Sequence, residues 1–148
     1  MTKSADISPL ILGLIESGTD VNLTVTGDSM RPMLRHQRDS VVLTACDPLS
    51  LKKGDLPLYK RNDGKIILHR IVKVNEKTFN CCGDHQSEIE KDVPKGNVVA
   101  VVKSFTRRGK SYSVSDKRYI FYVRLWALSR PLRKVIFFLW SKFVTKKC

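Results

Sequence analysis

The stretch LPLYKRNDGKIILHRIVKVN, residues 56–75, decides the fold. Its two halves, 56–61 and 65–75, are rich in aliphatic side chains and are joined by Asn62-Asp63-Gly64. Asn, Asp and Gly between two such runs are typical of a β-hairpin, because these residues tolerate the positive φ angles of tight turns. The stretch therefore predicts two antiparallel strands in the middle of the chain.

Further short strands are expected on both sides of this hairpin. Val21, Leu23 and Val25 alternate with polar residues, which predicts a half-buried strand over 21–26. The other expected strands are 40–45, 78–82, 98–105 and 112–114, with a turn entering a short helix over 27–34. About seven short strands at regular spacing favour a mainly β fold, an antiparallel β-sandwich or coiled barrel.

Helices are expected at both ends of the chain. Ser8 as N-cap, Pro9 at the first helical position and Gly18 as a stop predict a short helix over 8–17. Near the C-terminus, residues 119–130 and 132–144 favour helices separated by Pro131. The predicted organisation is a helical segment (1–20), a β domain (21–115) and a helical tail (116–148).

The positive charge of the chain is concentrated in this tail. The net charge is +13, and residues 103–148 hold thirteen Lys and Arg against one acid, Asp116. Eight of the twelve aromatic residues lie between 119 and 143, among these cations. This composition is typical of amphipathic helices in a membrane interface. The alternative is an ordinary helix pair packed on the sheet, with its cations in solvent.

An anionic membrane surface is the expected partner of the tail. Nucleic acid is disfavoured, because it requires cations and stacking rings but not the helically spaced aliphatic residues Leu132, Val135, Ile136 and Leu139. No apolar run approaches the ~18 residues of a spanning helix, and the N-terminus lacks the pattern of a signal peptide. We therefore expect peripheral membrane association. Cations that flank the apolar elements favour the cytoplasmic side, but the sequence leaves the membrane face open.

Three short segments hold residue types that nucleophilic catalysis needs. Ser29 follows Gly27-Asp28 at an expected strand-to-helix turn, where a hydroxyl is raised into solvent and the following backbone N–H groups point one way. His69 lies within an apolar strand, and Asp84 follows Gly83 at an expected strand end. Such residues can act as nucleophile, base and orienting acid. Each also has a structural interpretation, as a turn serine, a core histidine and an aspartate that caps its own turn.

No metal or cofactor is expected. The four cysteines form no CxxC pair, and no His/Cys cluster has the spacing of zinc ligands.

Taken in order, these segments resemble the conserved boxes of the type I signal peptidases. The matching segments are Thr26-Gly-Asp-Ser-Met-Arg-Pro32, Lys53-Gly-Asp55, Leu68-His-Arg-Ile-Val72 and Gly83-Asp84. The His-Arg pair is similar to that of the endoplasmic-reticulum-type enzymes, which use Ser and His. The Gly-Asp-Ser-Met box is also similar to that of the self-cleaving repressor peptidases, which use Ser and Lys.

The resemblance implies a fold, an activity and a role for each matching residue. It implies a largely antiparallel sheet sandwich or coiled barrel and an endopeptidase that cleaves a precursor or leader peptide through an acyl-enzyme. Ser29 would be the nucleophile, His69 the general base and Asp84 the supporting acid, while Asp28, Met30 and Pro32 would form the substrate and oxyanion region. Because His69 lies in apolar surroundings, we expect desolvation to favour its neutral form.

The chain departs from the family pattern at three points. Gly27 stands where signal peptidases carry a second Ser, so the oxyanion would depend on backbone donors, mainly the N–H of Ser29. The third catalytic member is left open between Asp84, Glu88, Glu90 and Asp92. Residues 1–20 cannot span a bilayer as the family's anchor does, and the tail is expected to replace it.

The alternative function is a catalytically inactive, peptidase-like module that binds peptides or membranes. Because the matching boxes end near residue 102, we also expect the β domain to fold without residues 117–148.

Overall fold

Nine strands and three helices follow one another along residues 9–145, which the computed structural model describes, with side chains described for residues 9–142. The strands are β1 (Val21–Thr24), β2 (Ser40–Thr44), β3 (Pro57–Lys60), β4 (Ile66–Leu68), β5 (Arg70–Val74), β6 (Thr78–Cys82), β7 (Glu90–Pro94), β8 (Val98–Arg107) and β9 (Lys110–Ser113). The helices are α1 (Pro9–Glu16), α2 (Lys117–Leu128) and α3 (Arg133–Thr145). The mainly β class with flanking helices is confirmed. The N-cap predicted at Ser8 lies outside the described residues.

The strands form two antiparallel sheets. The larger sheet has the order β1-β2-β8-β3-β4, with β9 also paired to β8, and it curls into a half-barrel. The smaller sheet has the order β5-β6-β7. The predicted hairpin is confirmed, since Leu58 pairs with Leu68 and Tyr59 with Ile67.

The prediction of one continuous strand over 65–75 is wrong, because the strand is interrupted at His69. β4 pairs with β3 in the larger sheet, whereas β5 pairs with β6 in the smaller one. Backbone hydrogen bonds between Gly54 and Ile71 (2.8 Å) and between Ile71 and Asp55 (2.9 Å) hold the start of β5. His69 therefore lies where the chain crosses from one sheet to the other.

Two other local predictions differ from the structure. Residues 27–34 form successive turns and no helix, held by bonds such as Leu34 N–H to Met30 C=O (3.0 Å). β7 has no predicted counterpart, because its sequence EKDVP is mostly charged and has no apolar alternation. It is stable as the outer strand of the smaller sheet, where such residues can remain solvated.

The start of the tail is packed into the main core. Tyr119 of α2 is only 8% exposed and belongs to the apolar cluster that also contains Met33, Leu56 and Phe105. This packing argues against the expectation that the β domain folds independently of residues 117–148. The two predicted tail helices are present, separated by a 3-10 turn at Arg130–Leu132. Neither they nor α1 have the length and hydropathy to cross a bilayer within the part of the chain described.

Candidate active site

Ser29 lies in the turn segment that joins β1 to β2. Gly27 has a φ of +86°, a conformation that favours glycine, and its N–H donates to Nδ1 of His36 (2.8 Å). The carbonyl of Ser29 accepts a hydrogen bond from the N–H of His85 (2.9 Å). Within the described residues, the Ser29 hydroxyl and the N–H groups of Ser29 and Met30 have no hydrogen-bond partner. These groups are therefore free to interact with a ligand.

The Gly83-Asp84 segment packs directly on the Ser29 turn. A Cβ atom placed on Gly83 would lie 2.6 Å from the Ser29 carbonyl oxygen, closer than van der Waals contact allows. Only glycine fits this position without displacing the backbone. The two segments thus fix each other, although Gly83 lies 54 positions after Ser29 in the sequence.

Ser29 and His69 line the same cleft at one side of the larger sheet. The walls of this cleft are mainly aliphatic and include Leu23, Val41 and Leu58, together with Met30. Ser29 is half-buried and His69 is 2% exposed. No hydrogen bond joins their side chains among the described residues.

The two ring nitrogens of His69 have different surroundings. Nδ1 lies 3.4 Å from the hydroxyl of Tyr59, and that hydroxyl donates to Oε2 of Glu90 (2.6 Å). Because the single hydroxyl proton is used on Glu90, the Tyr59 oxygen can only accept from Nδ1–H. We infer that Nδ1 carries the proton of the neutral ring. Nε2 is buried, has no partner among the described residues, and keeps its lone pair.

Glu90 is held as a carboxylate. Burial opposes its ionisation, but hydrogen bonds from Arg61 (3.0 and 2.9 Å) and from Tyr59 hold its pKa below the ordinary value. Arg61, Glu90, Tyr59 and His69 therefore form a continuous hydrogen-bonded series that ends at the imidazole.

The imidazole itself is neutral over the physiological range. Burial, reinforced by the charge of Arg61, lowers the pKa of His69 to about 4, against the opposing charges of Glu90 and Asp84. The expectation of a desolvated, uncharged His69 agrees with this direction.

Asp84 is engaged with other partners. Its carboxylate accepts two hydrogen bonds from Arg70 (both 2.8 Å) and one from Tyr122 (3.1 Å), and its carbonyl accepts one from Trp126 (2.8 Å). Asp84 is therefore not hydrogen-bonded to His69 and influences it only through charge. Its contacts connect the Gly83 turn to α2.

The other predicted site residues are dispersed. Met30 lies in the cleft, whereas Asp28 is exposed 3.9 Å from Arg31. Pro32 borders a different groove, beside Phe105. Among the remaining acids that the sequence left open, Glu88 is exposed, and Asp92 contacts Thr78 and Asn80 on the smaller sheet. Of the four acids considered, Asp84, Glu88, Glu90 and Asp92, only Glu90 is connected to His69 by hydrogen bonds among the described residues, through the Tyr59 hydroxyl.

Tyr59 and Arg61 were not anticipated as site residues. The pairing of the hairpin strands could have indicated Tyr59. Tyr59 pairs with Ile67, so residue 69, two positions further along, lies on the same face of the sheet and diagonally opposite Tyr59. Arg61 carried no such signal, since its contact depends on β7, which the sequence did not predict.

Comparison of the sequence with models of known protein families and with curated proteins finds no match.

Proposed function

We propose that this protein is a serine endopeptidase in which Ser29 is the nucleophile and His69 the general base. One observation carries the proposal: a neutral, buried histidine with an unpartnered Nε2 shares a cleft with a serine whose hydroxyl is also unpartnered. Buried polar atoms are normally hydrogen-bonded, so an exception calls for an explanation, and a reacting group is one. The ordered boxes that resemble type I signal peptidases contain the same two residues.

The chemistry follows the acyl-enzyme route. The Ser29 hydroxyl attacks the scissile carbonyl while Nε2 of His69 accepts its proton. The unpartnered N–H groups of Ser29 and Met30 are suited to stabilise the resulting oxyanion. His69 then donates the proton to the leaving amine, and a water molecule attacks the ester with His69 again as base.

Tyr59 and Glu90 occupy the place of the orienting acid. During catalysis His69 becomes positively charged, and the Glu90 carboxylate stabilises that charge through the Tyr59 hydroxyl. Asp84 acts as a positioning residue, because its ion pair with Arg70 holds the turn that supports Ser29.

The test is cleavage of a diverse peptide mixture by the full chain, followed by mass spectrometry. We expect Ser29→Ala and His69→Ala each to abolish cleavage and the double variant to lose nothing more, because the two residues act as a unit. Ser111→Ala is the matched control, since Ser111 is exposed on β9. Undiminished cleavage by Ser29→Ala overturns the proposal. Absence of cleavage by a folded wild-type chain favours the peptide-binding module.

We propose further that the protein associates peripherally with an anionic membrane surface through α2 and α3. Large apolar side chains are exposed along both helices, among them Phe121, Leu125, Phe138, Leu139 and Trp140. The cations of the same helices supply charge complementarity to anionic lipid. Phe137 of α3 packs against His85 with the rings tilted and their centroids 4.9 Å apart, next to the Ser29 turn, so a membrane-bound substrate would reach the cleft from this side.

A further inference from the structure

Arg133, the first residue of α3, is a buried cation without a carboxylate partner. It is only 3% exposed, and no ion pair within the described side chains includes it. Its two terminal nitrogens donate to the carbonyls of Trp126 (2.7 Å) and Gln86 (3.3 Å), and its guanidinium lies over the Trp126 ring, 4.6 Å from the centroid. Buried charges in proteins are normally paired, so this one lacks a counter-ion.

The missing counter-ion has space beside Arg133. A pocket of about 500 Å³ opens between the Lys53-Gly54 turn, β5 and the α2–α3 junction. Five cationic side chains line it, namely Lys53, Arg70, Arg124, Arg130 and Arg133. The single carboxylate in its lining, Asp84, is already paired with Arg70. We refer to this cavity as the arginine pocket.

Two donor atoms of the pocket residues are unsatisfied. The Nε atoms of Arg130 and Arg133 are buried and have no hydrogen-bond partner among the described residues. Burial and the charge of Arg130 hold the pKa of Arg133 below its ordinary value, despite the opposing effect of Asp84. An anion in the pocket would reduce the repulsion between the two guanidinium groups.

We propose that the arginine pocket binds a phosphate group, presented by the headgroup of an anionic phospholipid. Phosphate offers several acceptor oxygens and matches the planar donor geometry of arginine, whereas a single carboxylate would leave most of these cations without an acceptor. The apolar part of the lining, Val123, Ala127 and Leu128, continues to the exposed surface of α2, where an acyl chain can lie. The proposal builds on the membrane association proposed above and does not depend on peptidase activity.

The experiment measures binding of the full chain to two kinds of phosphatidylcholine vesicle with equal surface charge, one containing phosphatidic acid and the other oleic acid. We expect tighter binding to phosphatidic acid, and we expect Arg130→Gln to weaken that binding about tenfold while changing oleic acid binding little. Arg118→Gln is the matched control, because Arg118 is exposed at the opposite end of α2, outside the pocket. Arg130 is chosen over Arg133 because it is only half-buried and its replacement should leave the fold intact.

Inorganic phosphate, added at constant ionic strength, distinguishes the sources of the phosphate group. Preference for phosphatidic acid that persists in inorganic phosphate supports the lipid headgroup, and its loss supports a pocket that accepts free phosphate as well. Equal binding to the two vesicle types, or equal weakening by Arg130→Gln and Arg118→Gln, overturns the proposal. Equal binding to both anionic vesicles would still leave the general membrane association intact. Failure to bind either vesicle type would contradict both the phosphate-binding pocket and the membrane association.

Discussion

His69 has one nitrogen engaged and one free, and this asymmetry determines how the site should respond to change. The engaged nitrogen faces Tyr59 and Glu90, while the free one is buried in the protein. A merely structural histidine in the core would have both nitrogens satisfied, because an unpaired buried polar group costs about 1–3 kcal/mol.

Cleavage should depend on pH through His69. With a pKa of about 4, the imidazole is neutral above that pH and can accept the Ser29 proton, and it is protonated and inactive below it. We expect kcat/KM to be constant from about pH 5.5 to 8 and to fall by half near pH 4. Circular dichroism at each pH separates this titration from acid unfolding. A fall centred near pH 6.5, with the fold intact, would show that His69 is not desolvated as described.

Tyr59→Phe tests the orientation of the imidazole. The variant keeps the ring but removes the oxygen that accepts from Nδ1–H, so we expect kcat to fall about tenfold with KM nearly unchanged. Tyr112→Phe is the control, since Tyr112 stacks on Phe105 (5.4 Å) away from the cleft. Equal kcat values for the two variants would show that Tyr59 does not orient the His69 imidazole.

At the scale of the elements, the site depends on one crossing between the sheets and on one turn within the smaller sheet. The crossing is the break between β4 and β5 at His69, and the turn is the one after β6, which supports Ser29. The hairpin and the turn were accessible to sequence analysis, because Asn62-Asp63-Gly64 and Gly83-Asp84 use residues with specific backbone preferences. The break at His69 was not, because an apolar run has the same pattern whether its two halves join one sheet or two.

Gly83→Ala tests the support that the turn after β6 gives to Ser29. The added methyl group would meet the Ser29 carbonyl at 2.6 Å and displace the nucleophile, which should reduce kcat about a hundredfold. The strain should also lower the free energy of unfolding by about 1–3 kcal/mol. Gly96→Ala provides the control, since a Cβ atom there would have open space. Normal activity of folded Gly83→Ala would refute the proposed support.

At the scale of the whole molecule, α2 connects the basic tail to the active-site turns. Arg70 donates to Tyr119 of α2 (2.8 Å) and to Asp84, and Trp126 donates to the Asp84 carbonyl. Sequence composition predicted the tail's helices and its charge, but it could not predict that α2 contributes to the core. That contribution depends on individual side chains, Tyr119, Tyr122 and Trp126, whose polar ends reach partners distant in sequence.

The exposed apolar side chains of the tail should determine membrane affinity. We expect the double variant Leu125→Ser/Leu139→Ser to bind anionic vesicles at least about tenfold more weakly, because it removes buried aliphatic area from the interface. The matched control is Leu10→Ser/Leu49→Ser, whose two leucines are each 74% exposed outside the tail. High salt should weaken binding of the wild-type chain without abolishing it, since only the ionic contribution is screened. Equal affinity of the two double variants in vesicle co-sedimentation would contradict membrane docking through α2 and α3.

The most direct test of the central claim is covalent labelling of Ser29 by a serine-reactive fluorophosphonate, followed by intact-mass measurement and peptide mapping. We predict one adduct, located on Ser29, absent from Ser29→Ala and formed about a hundredfold more slowly or worse in His69→Ala, because the base is then missing. Ser111→Ala should label at the wild-type rate. An adduct on another residue, or a labelling rate at Ser29 that does not depend on His69, would contradict the assignment of these two residues as nucleophile and base.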